Sequence, residues 1–267
     1  MSESEEILVD QVDDIATVTL NRPQVKNAVQ AEGWLALKAV FDELKYDPSV
    51  RAVVLTGAGG DFCSGADVSA MGNRARSGES GPPPAGLLSM QQVGECILAL
   101  HEMPKPTIAK VDGVAAGAGM NMALGCDLIV ASDRARFSEI FARRGLSIDG
   151  GGSWLLPRLV GLHKAKELVL LADVISAQEA ADLGVVNRVV PADDLDGFVA
   201  DWAARLAAGP PVALSMSKAM LNNSFSLSMA QAVQDEGRAQ TVNFGTHDIV
   251  EAAMAWVEKR AAKFEGR

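Results

Sequence analysis

Cysteine is scarce in this chain. Cys63, Cys96 and Cys126 are the only three in 267 residues, and no two form a CxxC pair. An odd, widely spaced set excludes a disulfide framework, offers no zinc-ligand spacing, and fits a reducing compartment. Positive charge is also short, with 24 Lys plus Arg against 34 Asp plus Glu and a net charge of -10. Phosphate-backbone affinity rests on clustered Lys and Arg, so nucleic acid is not an expected partner, although an anionic small molecule needs only a few local cations. No apolar run is long enough to span a bilayer, and the opening MSESEEILVDQVDD has neither a basic n-region nor an apolar h-region. The expectation is a soluble cytoplasmic protein without membrane contact.

Several motifs are missing too. Gly117-Ala118-Gly119-Met120-Asn121-Met122 lacks the third glycine of a dinucleotide fingerprint, which disfavours a nicotinamide site. No loop ends in Gly-Lys-Ser/Thr, and Gly151-Gly152-Ser153-Trp154-Leu155 ends in Leu where a nucleophile elbow needs Gly. His101, His163 and His247 form no local cluster and read as surface or capping residues. No metal site is expected.

What is present is an apolar content of 48% with 22% charged residues, enough for a substantial core in one large domain or a domain with an appendage. Short strands are expected at Ile7–Val9, Ile15–Leu20, Ala52–Thr56, Thr107–Val111, Asp127–Ala131, Arg136–Ser138 and Val185–Val190. Helical spacing runs through Val29–Lys45, Leu87–Met103 and His163–Leu171, and Ser176-Ala-Gln-Glu179 is a capping box for a helix ending at Gly184. Residues 72–86 are rich in Gly, Pro and Ser and read as a mobile lid-type loop. From Ala192 the pattern is helical, broken at Gly209-Pro210-Pro211. Strand–helix alternation followed by helices argues for an α/β core.

Two segments are built for backbone chemistry. Residues 105–130 read as strand, tight turn at Asp112-Gly113, and helix start through the small residues Ala115 to Gly119. Amides at a helix N-terminus have no intrahelical partner and carry partial positive charge, and Gly and Ala leave them open to a ligand oxygen. Phe62-Cys63-Ser64-Gly65-Ala66-Asp67 repeats the pattern after the strand at 52–56. Alone it reads as a strand-to-helix turn with Asp67 as the cap; two such turns in one chain suggest a shared pocket. Asp149, before three glycines, reads from composition as a turn or N-cap residue.

Both segments, together with Asn21-Arg22-Pro23…Asn27-Ala28, residues 145–161 (GLSIDGGGSWLLPRLVG) and Val257-Glu-Lys-Arg260, resemble the crotonase superfamily of enoyl-CoA hydratases and isomerases. The likeness covers nearly the whole chain in order and spacing. It implies a ClpP/crotonase-like spiral of ββα units over 1–195, with a C-terminal helical region over 196–267 for trimerisation and active-site cover. It implies a homotrimer or a hexamer of paired trimers, and an acyl-CoA thioester as substrate. Coenzyme A is then part of the substrate, with no separate cofactor. By position, the Ala66 and Ala118 amides hold the thioester oxygen. Lys26 and Lys259 approach CoA phosphates, while Ala28, Asp67 and Val68 contact adenine or pantetheine largely through backbone; Gly117 belongs to the same binding surface.

The chain departs from the family where water is activated. Typical hydratases place two Glu residues at positions that here hold Asn121 and Phe141, neither of which shuttles a proton at neutral pH. Glu139 lies nearby, but two residues along a strand end point another way, so it is not expected to substitute. The remaining carboxylate is Asp149, at a position used by dienoyl-CoA isomerases, ring-epoxide isomerases of phenylacetyl-CoA breakdown and aromatic dehalogenases. Its surroundings look most like the ring-epoxide isomerases. The resemblance therefore implies isomerisation through an enolate, with Asp149 moving the proton and Phe141, Ile148 and Trp154 raising its pKa. Rival expectations are syn hydration with non-standard residues, hydrolysis or dehalogenation with Asp149 as nucleophile, and a catalytically silent CoA-binding subunit.

Overall fold

The computed structural model describes residues 6–69 and 86–267. A hairpin opens the chain: β1 (Ile7–Val12) and β2 (Ile15–Leu20) pair antiparallel around Asp13-Asp14, with Asp13 at a φ of 53°. β2 then runs parallel to β3 (Ala52–Gly57), β3 to β4 (Thr107–Val111), β4 to β6 (Leu128–Ser132) and β6 to β9 (Arg188–Val190). The sheet order is β1-β2-β3-β4-β6-β9. Both faces of the central strands are covered, so they are apolar in continuous runs rather than in alternation. One face, with Val53, Leu55, Ala109 and Ile129, packs on α1 (Ala31–Tyr46), α2 (Gly86–His101) and α3 (Ala118–Gly125) through Leu37, Phe41, Leu100 and Met120. The other, with Val54, Ile108 and Val130, packs on Leu195, Val199 and Ala203 of the later helix α7 (Leu195–Ala207). The expected division at 195/196 falls at the first residue of that helix.

A second, smaller sheet positions the site. β5 (Val114–Ala116) pairs parallel with β7 (Arg136–Ser138), which pairs antiparallel with β8 (Ile175–Ser176). The sequence reads Ala115–Gly119 as one helix start; the structure instead makes 114–116 a strand and begins α3 at Ala118. Pairing from two sides decides this. Ala116 N–H donates to Cys63 O at 2.9 Å, and Gly117 N–H donates to Ser138 O at 2.8 Å.

One further helix escapes the periodicity. α4 (Gly152–Val160) contains Pro157, which reads as a breaker, and Gly161 at φ 76° separates it from α5 (Leu162–Leu171), the helix expected from His163. The capping box at Ser176 and Glu179 starts α6 (Ala177–Asp182) as expected. The last strand is shorter than expected, because the Val185 and Val186 amides both turn back to Ala180 O and close α6. After the Gly209-Pro210 break come α8 (Pro211–Asn223), α9 (Met229–Phe244) and α10 (His247–Glu258). The expected loop at 72–86 lies outside the described residues, except for Gly86, which opens α2. No helix among the described residues is long and apolar enough to cross a membrane.

Candidate active site

A polar clamp aligns the first backbone segment. Asn27 is buried at a φ of 56°, a left-handed conformation that asparagine tolerates better than most residues. Its Nδ2 donates to Ala58 O (2.9 Å) and Asp61 O (2.7 Å), and its Oδ1 accepts from Arg22 N–H (2.9 Å). Arg22 Nη1 donates to Ala28 O (2.7 Å) and Asp67 Oδ2 (3.0 Å). Residues 21–28 are thereby tied to 58–67, with bridges Val29–Ala66 and Cys63–Ala115 carrying the alignment to β5.

The two small-residue turns meet. A Cβ on Gly65, whose φ is +102°, would stand 2.9 Å from Ala116 O and 3.5 Å from Ala118 N, so only glycine permits the approach. Gly117, at φ 53° and ψ -128°, swings the chain from β5 into α3 and leaves Ala118 at the first helical position. Neither the Ala66 nor the Ala118 amide N–H has an acceptor among the described residues. Gly150 brings the third component in: a Cβ there would lie 3.2 Å from Asn121 Cβ and 3.9 Å from Ala118 Cα. Ala66, Ala118 and the Asp149 turn therefore gather around one end of α3.

Asp149 is not the helix cap that composition allows. The N-cap of α4 is Gly151, without a side-chain capping bond. The Asp149 main-chain oxygen holds the turn, accepting from Gly152 N–H (3.0 Å) and Asn121 Nδ2 (2.8 Å). Its carboxyl Oδ1 is buried without a partner among the described residues, and burial pushes the group up to about 6. A carboxylate with no structural employment and a pKa near neutrality is suited to exchanging a proton.

Glu139 corrects the sequence-based expectation that it points elsewhere. It is buried to 1% exposure, and its Oε2 lies 3.3 Å from Asn121 Nδ2. Burial pushes its carboxyl up to about 8, and the Asp149 charge acts in the same direction while the Asn121 hydrogen bond opposes. Strand alternation failed as a guide because β7 stops at Ser138; Glu139 has φ -81° and ψ 60°, outside the extended region, and caps a 3-10 turn over Ile140–Arg144. The signal in the sequence is no more than an acid directly after a short strand.

The other expected positions divide. Lys26 is exposed, 3.8 Å from Asp61, and Ala28 is buried beside it in the clamp. The Asp67 carboxylate is occupied: the Ser69 amide and hydroxyl, and then Arg22, hold it down to about 2. That is a local contact within 67–69, and it leaves the Asp67 and Val68 main chain beside Ala66. Lys259 ends α10 in a left-handed conformation and makes no hydrogen bond or ion pair to residues 21–28 among the described residues. Phe141 is buried beside Gly117, whose Cβ would meet its ring at 3.6 Å. Trp154 stacks on Arg158 (3.8 Å) and meets His101 edge-on (5.6 Å between centroids). His101 is thus half-buried rather than a surface residue, and burial lowers its pKa. Burial pushes the three thiols up to about 12, so none is a poised nucleophile. No metal-ligand cluster exists among the described residues.

Comparison with known proteins places this geometry in context. The family described as Enoyl-CoA hydratase/isomerase matches residues 10–267. The chain is 34% identical over 264 residues to the crotonyl-CoA hydratase of Syntrophomonas wolfei, covering 97% of this chain and 98% of that one. It is 33% identical over 254 residues to the 1,2-epoxyphenylacetyl-CoA isomerase of Escherichia coli K12, covering 95% of each. The crystal structure of an enoyl-CoA hydratase from Bacillus anthracis superposes with a TM-score of 0.92 at 28% identity, covering 98% of this chain and 100% of that one.

Proposed function

The chain belongs to the enoyl-CoA hydratase/isomerase family, has the crotonase fold and processes acyl-CoA thioesters, and on that premise we propose that it isomerises them through an enolate, with Asp149 as the single proton carrier. The thioester oxygen accepts from the Ala66 and Ala118 N–H groups. The Asp149 carboxylate takes a proton from the carbon next to the carbonyl, and the released electron pair becomes the enolate, its charge resting on the oxygen. Donors aimed at that developing charge are each worth about 3–4 kcal/mol in comparable sites. Asp149, now the acid, returns the proton to a carbon further along the acyl group, and the double bond or ring opening moves with it. Only protons are exchanged, so coenzyme A enters with the substrate and no separate cofactor takes part.

The observation that carries this proposal is the unpartnered, partly desolvated carboxyl of Asp149, on a turn that Gly150 packs against Asn121 and Ala118 of the helix whose first amide, like that of Ala66, has no acceptor among the described residues. Asn121 and Phe141 stand where a two-glutamate water site would be, which favours isomerisation over hydration. The test is a panel of 2-enoyl-, 3-enoyl-, dienoyl- and epoxy-aryl-CoA thioesters. Isomerised product without incorporation of solvent oxygen is expected; dominant water addition to a 2-enoyl-CoA overturns the preference, and binding of all without turnover identifies a silent subunit. Since the base form of Asp149 starts the reaction, kcat should rise with pH through about 6, a profile read directly from initial rates.

Lys26 and the main chain of Ala28, Asp67, Val68 and Gly117 form the proposed CoA contact surface, with Lys259 supplied from the C-terminal helices. The proposed assembly is a homotrimer or a pair of trimers. Exposed Leu221, Phe225, Met229, Phe244, Trp256 and Val257 all lie in the C-terminal region, a density of bare apolar surface that argues for burial between copies. Light scattering on the purified protein should return three or six times the 28.0 kDa of one chain; a monomer rejects the assembly.

A further inference from the structure

Asn121 and Glu139 are both buried, at 0% and 1% exposure, and each carries an oxygen with no partner among the described residues: Asn121 Oδ1 and Glu139 Oε1. Asn121 Nδ2 already serves two acceptors, Asp149 O at 2.8 Å and Glu139 Oε2 at 3.3 Å. The cluster thus has acceptors in excess and lacks a donor. A proton on Glu139 supplies it, since a neutral carboxylic acid both donates and accepts, whereas the carboxylate only accepts. Asp149 is the one charged group acting on Glu139 among the described residues, and no cation faces it from β7, α3 or the turn before α4. Two neighbouring carboxyls without a cation do not both ionise readily, so the cluster divides its roles, one acid kept neutral and the other free to carry the charge.

We propose that Glu139 is a positioning residue of this site, held as the neutral acid, which fixes the Asn121 carboxamide and through it the main chain carrying Asp149. It rests on the proposed role of Asp149 and goes beyond it. Glu139 sits behind Asn121 and is closed to solvent, so it touches no substrate and acts only through its neighbours. Gly152 shows how tightly Asn121 is held: a Cβ there would stand 2.4 Å from Asn121 Oδ1 and 2.5 Å from Nδ2. When Glu139 ionises at high pH, a second negative charge appears beside Asp149 and the donor is lost. Activity then falls on the alkaline side, with the limb belonging to a group that never contacts the thioester.

The experiment pairs two substitutions with two readouts. Glu139→Gln keeps a donor and an acceptor but no titration. It should retain most of the wild-type kcat at pH 7, and its kcat profile should stay flat where wild type declines. Glu139→Leu removes the contact; kcat should fall about 100-fold, the loss expected when a reacting group shifts by about an ångström, with KM little changed. A Gln variant as inactive as Asp149→Asn at every pH, or one that keeps the alkaline decline, overturns the proposal, and so does a folded Leu variant of full activity. Difference infrared spectroscopy of the free protein gives an answer independent of turnover. A protonated-carboxyl band at pH 7 that vanishes in Glu139→Gln supports the neutral acid, and its absence in wild type overturns it. Should Asp149→Asn keep full turnover, the catalytic reading fails while the infrared result still decides the state of Glu139.

Discussion

Asp149→Asn should lower kcat by roughly 1,000-fold or more on any thioester the wild type converts, within the range for removal of a positioned acid–base group. Binding of the thioester should persist, because the proposed oxygen contacts are main-chain amides that the substitution leaves in place. The fold should persist as well. Asp149 holds its turn through its main-chain oxygen, and the α4 cap is Gly151, so among the described residues no hydrogen bond requires the carboxylate. Stability should even gain at alkaline pH. Burial raises the Asp149 pKa from 3.8 to about 6, so the folded state binds this proton more tightly than the unfolded chain. The stabilisation that the proton provides is complete below about 4 and is lost as pH rises through about 6. Above that, wild type carries a partly desolvated charge that asparagine does not. Melting curves should therefore show Asp149→Asn equal to or above wild type at pH 8, with the difference closing toward pH 4. A variant both inactive and markedly unstable at pH 8 would make Asp149 a structural residue instead.

Much of the scaffold is visible in the residue pattern. The hairpin at Asp13-Asp14, the apolar strands at 52–56 and 107–111, the Ser176 capping box and the Gly209-Pro210 break are local events, dictated by side chains within a few positions of one another. What stays hidden is set by distant partners. Nothing in Val114-Ala115-Ala116 marks a strand until Cys63 and Ser138 offer hydrogen bonds from either side. Helix α4 is masked by Pro157.

The site shows the same division. Gly65, Ala66, Gly117 and Ala118 announce open backbone through their size. Asp149 stands out only once the resemblance to crotonases gives its position a meaning. Glu139 goes unread because two-residue alternation stops applying at the end of β7, where the backbone has already left the extended region. The acids in this cluster are informative because of what they lack. Asp112, Asp127 and Glu251 have basic or hydroxyl partners, whereas Asp149 and Glu139 have an oxygen each with none among the described residues.

Gly119→Ala should damage the site without touching any atom proposed to meet the substrate. A Cβ at this position would fall 2.3 Å from Cys63 O and 2.8 Å from both Cys63 C and Cβ. The obstacle is main chain, and Cys63 is not free to yield: its amide donates to Val114 O and its carbonyl accepts from Ala116 N–H, both at 2.9 Å. Moving it means parting the 63–66 segment from β5 and the start of α3, the contact that brings Ala66 beside Ala118. Alanine normally helps a helix by up to about 1 kcal/mol over glycine. Overpacking against a fixed neighbour costs about 1–3 kcal/mol, so the clash should win and the variant should melt at a lower temperature. Separating one amide from the other removes a donor from the developing oxyanion, for which a loss of about 100- to 1,000-fold in kcat is expected. Gly94→Ala is the control. It lies within α2 with nothing inside 4 Å of the added carbon, so it should stabilise slightly and leave kcat unchanged. If Gly119→Ala turns over substrate like wild type, the two amides do not act as a pair whose spacing matters, and the oxygen is held elsewhere.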